Sequence, residues 1–298
     1  MNRSRATILV LLALTMSLLP TAGVAQDGSQ ESASGAAGEA CDPGDAACFD
    51  EIVAEAIGVA ERLPSDIRVQ PPDPFQGGQR TDSMVNYLVD TIFLVDGYWS
   101  TAFDRAGLPY GHVNYVVLDV GTDDQESNCR NQQTGAADMA SAGSGPFYCR
   151  AGGQALDRRF DSSVVYIGAP WLADEAMQVD PENHDFAVVA IVAHEVAHHV
   201  EWELLKGQWT AENAVWLELT ADCLTGVFSN AAYYGQAGQL TDTDVDEAIS
   251  ILWDFGSDLP YDLGGDPHGT REQRTAAFRL GYDTGRVADC LAQDWPTS

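Results

Sequence analysis

The sequence predicts an α+β fold that is mostly helical, with a small β-sheet. Apolar residues recur at helical spacing over 81–106 and in four stretches after Pro181, whereas only two runs have the length and composition of strands. At 298 residues and 45% hydrophobic, the chain can bury one sizeable core and carry small appendages.

Residues 1–25 read as a secretory signal peptide: Arg3 and Arg5 make a basic start, 8–19 is an apolar run, and Gly23-Val24-Ala25 offers a small-residue cleavage site. That run falls short of the about 20 residues that span a bilayer. The expectation is a secreted protein, extracellular or periplasmic, with no stable membrane span after cleavage. Residues 26–74 are expected to be an acidic, Pro-rich linker or pro-region, with one short amphipathic helix over 49–63 and a break at Pro71-Pro72-Asp73-Pro74. The main globular domain is placed at 75–298.

Within that domain Val85, Leu88, Val89, Ile92, Val95, Trp99 and Phe103 give 81–106 one apolar face, and Gly107 and Pro109 end the helix. The runs 113–120 and 164–167 are β-branched and aromatic, as strands require. Between them 121–160 is rich in Gly, Ser, Gln and Asn and is expected to be a long loop stapled by a disulfide. Helices are then expected over 183–206, 211–234, 242–255 and 270–291.

With 45 Asp and Glu against 15 Lys and Arg, the net charge of -30 lacks the electrostatic footprint of nucleic-acid and anionic-membrane binders. No nucleic-acid partner is expected. The six cysteines are even in number in an exported chain, so three disulfides are expected. Short loop closure favours Cys41–Cys48 and Cys129–Cys149, which leaves Cys223–Cys290. No CxxC or Cys/His cluster suggests a cysteine-held metal.

The chemistry centres on His194-Glu195-Val196-Ala197-His198, an HExxH motif inside a predicted helix. Positions i and i+4 share a helix face, so both imidazoles can hold one metal ion while Glu195 lies beside them as a general base. A catalytic zinc needs a third ligand. Gly207-Gln208 breaks the chain between two helices, and an antiparallel hairpin about that point sets residues equidistant from Gln208 at equal height. His198 and Glu218 are each ten positions from it, and His194 and Asp222 are each 14. Glu218 is therefore the expected third ligand, and Asp222 the acceptor for Nδ1–H of His194. No fourth protein ligand is found nearby, which leaves a coordination position open, as in catalytic sites. His199 points about 100° away from His198 and is expected to be a packing or surface residue.

The segments His194-Glu195-Val196-Ala197-His198-His199-Val200, Glu218-Leu219-Thr220-Ala221-Asp222-Cys223 and His268-Gly269-Thr270-Arg271-Glu272-Gln273-Arg274 resemble, in order and spacing, the bacterial putative neutral zinc metallopeptidase family over 75–292. Phe147-Tyr148-Cys149 followed by Val164-Val165-Tyr166-Ile167 resembles its strand segment, with a longer connection here and no proline after the cysteine. HExxH with a downstream Glu and a following Asp is the gluzincin pattern. The resemblance implies a zincin-like fold in which Glu195 is the general base and one Zn2+ per chain polarises the scissile carbonyl of a peptide or protein substrate. His268 and Arg274 are candidates to donate hydrogen bonds to the developing oxyanion. Their alternative is structural: an N-cap region at Thr270 for His268, and an ion pair for Arg274. The function expected is a secreted zinc endopeptidase. The alternatives are a secreted zincin-fold binding protein without turnover and a hydrolase of cell-wall peptide crosslinks.

Overall fold

The computed structural model describes residues 46–69, 81–130, 137–150, 163–179, 185–207, 213–233, 242–259 and 267–296. The expected signal peptide, the stretch 26–45 and Cys41 lie outside the described residues, and with Cys41 the expected Cys41–Cys48 bridge.

The described chain runs α1 (Ala46–Ala60), α2 (Thr81–Ala106), β1 (Val113–Leu118), β2 (Gln125–Arg130), β3 (Ala137–Ala140), β4 (Phe147–Cys149), β5 (Ser163–Gly168), α3 (Ala169–Val179), α4 (Asp185–Leu204), α5 (Ala214–Tyr233), α6 (Asp242–Asp254), α7 (Arg271–Thr284) and α8 (Val287–Leu291). This is a mostly helical α+β architecture. No helix among the described residues is long and apolar enough to cross a membrane.

Helix α4 is the spine of the molecule. Every residue from Phe186 to Glu201 is buried, because α4 packs against α5, α2 and α6. Such an all-round apolar helix has no amphipathic face to show, and its polar residues must find partners inside the protein. The closest helix pair is α5 with α7: a Cβ on Gly226 would collide with Phe278 O, and one on Gly281 with Cys223 O. Two glycines thus let the backbones approach more closely than side chains would allow, which brings the start of α7 to the middle of α5. The Cys223–Cys290 disulfide, with Cα atoms 5.6 Å apart, ties α5 to α8.

Three strands form a sheet in the order β1-β5-β4. β1 and β5 are parallel, with Val113 opposite Ser163 and Leu118 opposite Gly168. β4 is antiparallel to β5, pairing Tyr148 with Val165. The central strand β5 is buried at all six positions, as a strand covered on both faces should be. β4 reaches α4 and sets Tyr148 beside the HExxH turn.

Three local expectations need correction. The stretch 121–160 is not one loop: β2 and β3 pair antiparallel as a separate ribbon, β4 joins the main sheet, and the Cys129–Cys149 disulfide links the two. Helix α3 was not expected; Pro170 is tolerated in its first turn, and Leu172 and Ala176 face the core. The helix expected over 270–291 is two helices, because Gly285 adopts φ 62° after α7 and closes it as a left-handed cap. Thr270 starts α7 with a capping box: Gln273 N–H donates to Thr270 Oγ1, and Thr270 N–H donates to Gln273 Oε1. Residues 46–69, assigned above to the linker or pro-region, bury Phe49, Ala56, Ala60 and Ile67 in the same core as the site helices. Phe49 meets Trp216 of α5 edge-on at 5.4 Å.

Candidate metal centre

Helical geometry puts His194, His198 and Glu201 at i, i+4 and i+7 of α4, along one stripe. Helix α5 lies against that stripe and carries Glu218 and Asp222 one turn apart. His194 Nε2 is 3.1 Å from Glu218 Oε2, and His198 Nε2 is 3.6 Å from Glu218 Oε1. Ligand atoms of these three residues all lie within 4.8 Å of one another. Asp222 Oδ1 stands 2.9 Å from Nδ1 of His194 and accepts its proton, which directs Nε2 toward Glu218.

Asp222 is itself held. Arg274 of α7 is buried and donates through Nε and Nη2 to the two Asp222 oxygens, both at 2.8 Å. The guanidinium is thus committed to a bidentate ion pair, the structural alternative considered for Arg274, rather than aimed at a reacting oxygen. His268 has a side chain 45% exposed, with Nε2 4.0 Å from Glu218 Oε1. Glu195 is buried next to His194 and is not among the converging ligand atoms.

His199 belongs to a different network and is fully buried, not a surface residue. Burial pushes its pKa down to about 4, so the ring is neutral. Its Nε2–H donates to Gly111 O at 3.0 Å, and Nδ1 therefore accepts from the Tyr148 hydroxyl at 3.3 Å. Ser163 then donates to Tyr148 at 2.6 Å. This chain clamps β4 and β5 to α4.

The sequence reading missed Glu201. Its Oε2 is 3.0 Å from His198 Nδ1, and the residue is completely buried. The signal was available, since Glu201 stands at i+3 from His198 on a helix already recognised.

A family model described as putative neutral zinc metallopeptidase matches residues 65–292. The chain belongs to this family. The match begins at residue 65 and so takes in the core residue Ile67. Among similar proteins, the uncharacterized protein YpfJ of Escherichia coli K12 is 33% identical over 212 residues, 64% of this chain and 65% of that protein. The uncharacterized protein Rv2575 of Mycobacterium tuberculosis H37Rv is 29% identical over 177 residues, 51% of this chain and 56% of that protein. The chain thus spans just under two thirds of the length of the Escherichia coli relative and less of the mycobacterial one. No solved structure matches it.

The donor set fits the zinc that the family implies. Ligand atoms about a four-coordinate zinc, with bonds of about 2.0–2.2 Å, stand about 3.4 Å apart. The two Glu218–His distances, 3.1 and 3.6 Å, bracket that separation. The local field also favours a cation: burial opposes a charged His194, but its hydrogen bond to Asp222 and the charges of Asp222 and Glu218 outweigh burial and carry its pKa up to about 10. Burial prevails at His198, whose pKa falls to about 4. Glu195 is raised to about 7, chiefly by burial. Burial would also raise Asp222, but Arg274 holds it below the usual carboxylate range.

Proposed function

We propose that this chain is an exported zinc-dependent endopeptidase, with zinc held by His194 Nε2, His198 Nε2 and a Glu218 oxygen. The observation that carries the reading is the convergence of those three groups within 4.8 Å, with buried Glu195 adjacent but outside the set. When bound, zinc supplies a Lewis acid that acidifies a water molecule and polarises the scissile carbonyl.

The protein's own groups do the rest. Asp222 accepts Nδ1–H of His194 and keeps the ring's other nitrogen aimed at the site; Arg274 keeps Asp222 in place. Glu195 takes the proton of the attacking water, the water oxygen bonds to the carbonyl carbon, and Glu195 passes the proton to the amine nitrogen as the C–N bond breaks. In the zinc-free protein burial lifts the Glu195 carboxyl to about 7, so the site makes this group more basic than an exposed carboxylate. His268, half-exposed beside Glu218, is placed to donate to the carbonyl oxygen as it gains charge. Export rests on the signal-like residues 1–25 and on the Cys129–Cys149 and Cys223–Cys290 disulfides, which suit an oxidising compartment.

The test is mass-spectrometric cleavage of an unbiased peptide library by zinc-loaded residues 26–298, with Glu195→Ala as the blank. Cleavage above the blank, at internal bonds, is expected. Equal cleavage by both proteins removes Glu195 from the mechanism, and release of terminal residues alone makes the enzyme an exopeptidase.

A further inference from the structure

Glu201 is a buried carboxylate that neither the core nor the proposed reaction accounts for. It is 0% exposed, in the last turns of α4. One oxygen, Oε2, is 3.0 Å from His198 Nδ1, while Oε1 has no hydrogen-bond partner. A half-satisfied buried carboxylate is costly, and an apolar residue of the same size would fill this position without that cost. Its one contact with a polar group is therefore what the residue is there for, and that group is a metal-facing imidazole.

The same arrangement recurs at the other histidine, where Asp222 meets Nδ1 of His194 at 2.9 Å. Both rings thus have Nδ1 engaged by a fully buried carboxylate, and both have Nε2 directed at Glu218. We propose that Glu201 is the positioning residue for His198: it accepts Nδ1–H, fixes the ring's tautomer and rotation, and so presents Nε2 to the metal. The proposal rests on the zinc reading above and adds to it a residue that touches neither metal nor substrate. Outer partners of this kind set metal affinity, typically by about 10–100-fold.

The experiment measures zinc affinity by chelator competition on the full mature protein, for the wild type, Glu201→Gln, Glu201→Met and Glu218→Ala, with folding checked by circular dichroism. Glu201→Gln keeps an acceptor oxygen at the same reach and should stay near the wild type. Glu201→Met fills the space without an acceptor and should weaken zinc by about 10–100-fold. Nitrogen-15 spectra of zinc-loaded wild type should show the His198 ring protonated at Nδ1, with that proton protected from exchange. Wild-type affinity in a folded Glu201→Met protein, or equal losses in the Gln and Met variants, would overturn the proposal. So would a freely exchanging Nδ1 proton or an Nε2-protonated ring in the wild type, a result that needs no variant to fold. Glu218→Ala separates the two readings: if it weakens zinc while Glu201→Met does not, only the role of Glu201 fails. If Glu218→Ala leaves zinc unchanged, the ligand set itself is wrong.

Discussion

The two histidines of the proposed metal centre sit one turn apart on α4, yet they are held in different ways. His194 is secured across three helices, through Asp222 of α5 to Arg274 of α7, with a full negative charge matched by a full positive one. His198 is secured within its own helix by Glu201, whose charge has no such partner. The first arm is part of the tertiary fold: two of the helices it joins, α5 and α7, are those that Gly226 and Gly281 bring together, and Cys223–Cys290 ties α5 to the adjoining α8. The second is a local device laid on one helix face. Damage to the first should cost stability and metal together, and damage to the second should cost metal alone.

The largest expected effect is on the tertiary arm. Arg274→Met leaves Asp222 buried without its cation and should destabilise the zinc-free protein by about 3–5 kcal/mol in denaturant titration. Glu201→Gln should not lower the same midpoint. Equal losses in the two variants would erase the contrast.

The arms should also respond to pH with opposite sign in zinc-free protein. Asp222 has a folded pKa below its unfolded value of about 3.9. Its contribution is therefore present above that value and lost as pH falls below it. Burial lifts the Glu201 carboxyl well above its unfolded value of about 4.3, so its contribution is full below that pH and is lost as pH rises toward the folded pKa. Asp222→Asn should flatten the acid limb of the stability profile, whereas Glu201→Gln should raise stability at neutral pH relative to pH 4. Profiles that shift in the same direction would contradict the assignment.

The smallest effect is expected outside both arms. Tyr148→Phe removes the hydroxyl between Ser163 and His199 and should cost about 1 kcal/mol with zinc affinity unchanged. A fall in zinc affinity would make this chain a third arm of the site.

How legible each part was in the sequence follows from how local its cause is. Counting outward from Gln208 set Asp222 level with His194 and Glu218 level with His198, because a helical period and one chain break determine those heights. The same count looked only across the hairpin, and so passed over Glu201, three residues further along α4. Helix α2 was readable from its apolar spacing alone. Strand β2, Gln-Glu-Ser-Asn-Cys-Arg, shows no alternation to read; its structure comes from pairing with β3 and from the link to β4 through Cys129–Cys149, neither of which is local. Gly285 ended α7 inside a run whose apolar spacing continues to Leu291, since a left-handed cap interrupts geometry without interrupting the pattern. Arg274 was recognised as a candidate for two roles, and only the approach of α7 to α5 places it against Asp222.

The measurement that bears most directly on the centre is zinc stoichiometry and affinity in the mature wild type, Glu195→Ala and Glu218→Ala. We predict one zinc per chain in the first two, bound with similar strength, and a loss of affinity in Glu218→Ala that exceeds the about 100-fold reached by outer partners. Undiminished zinc binding in Glu218→Ala, or loss of zinc in a folded Glu195→Ala protein, would contradict the division into three ligands and one base.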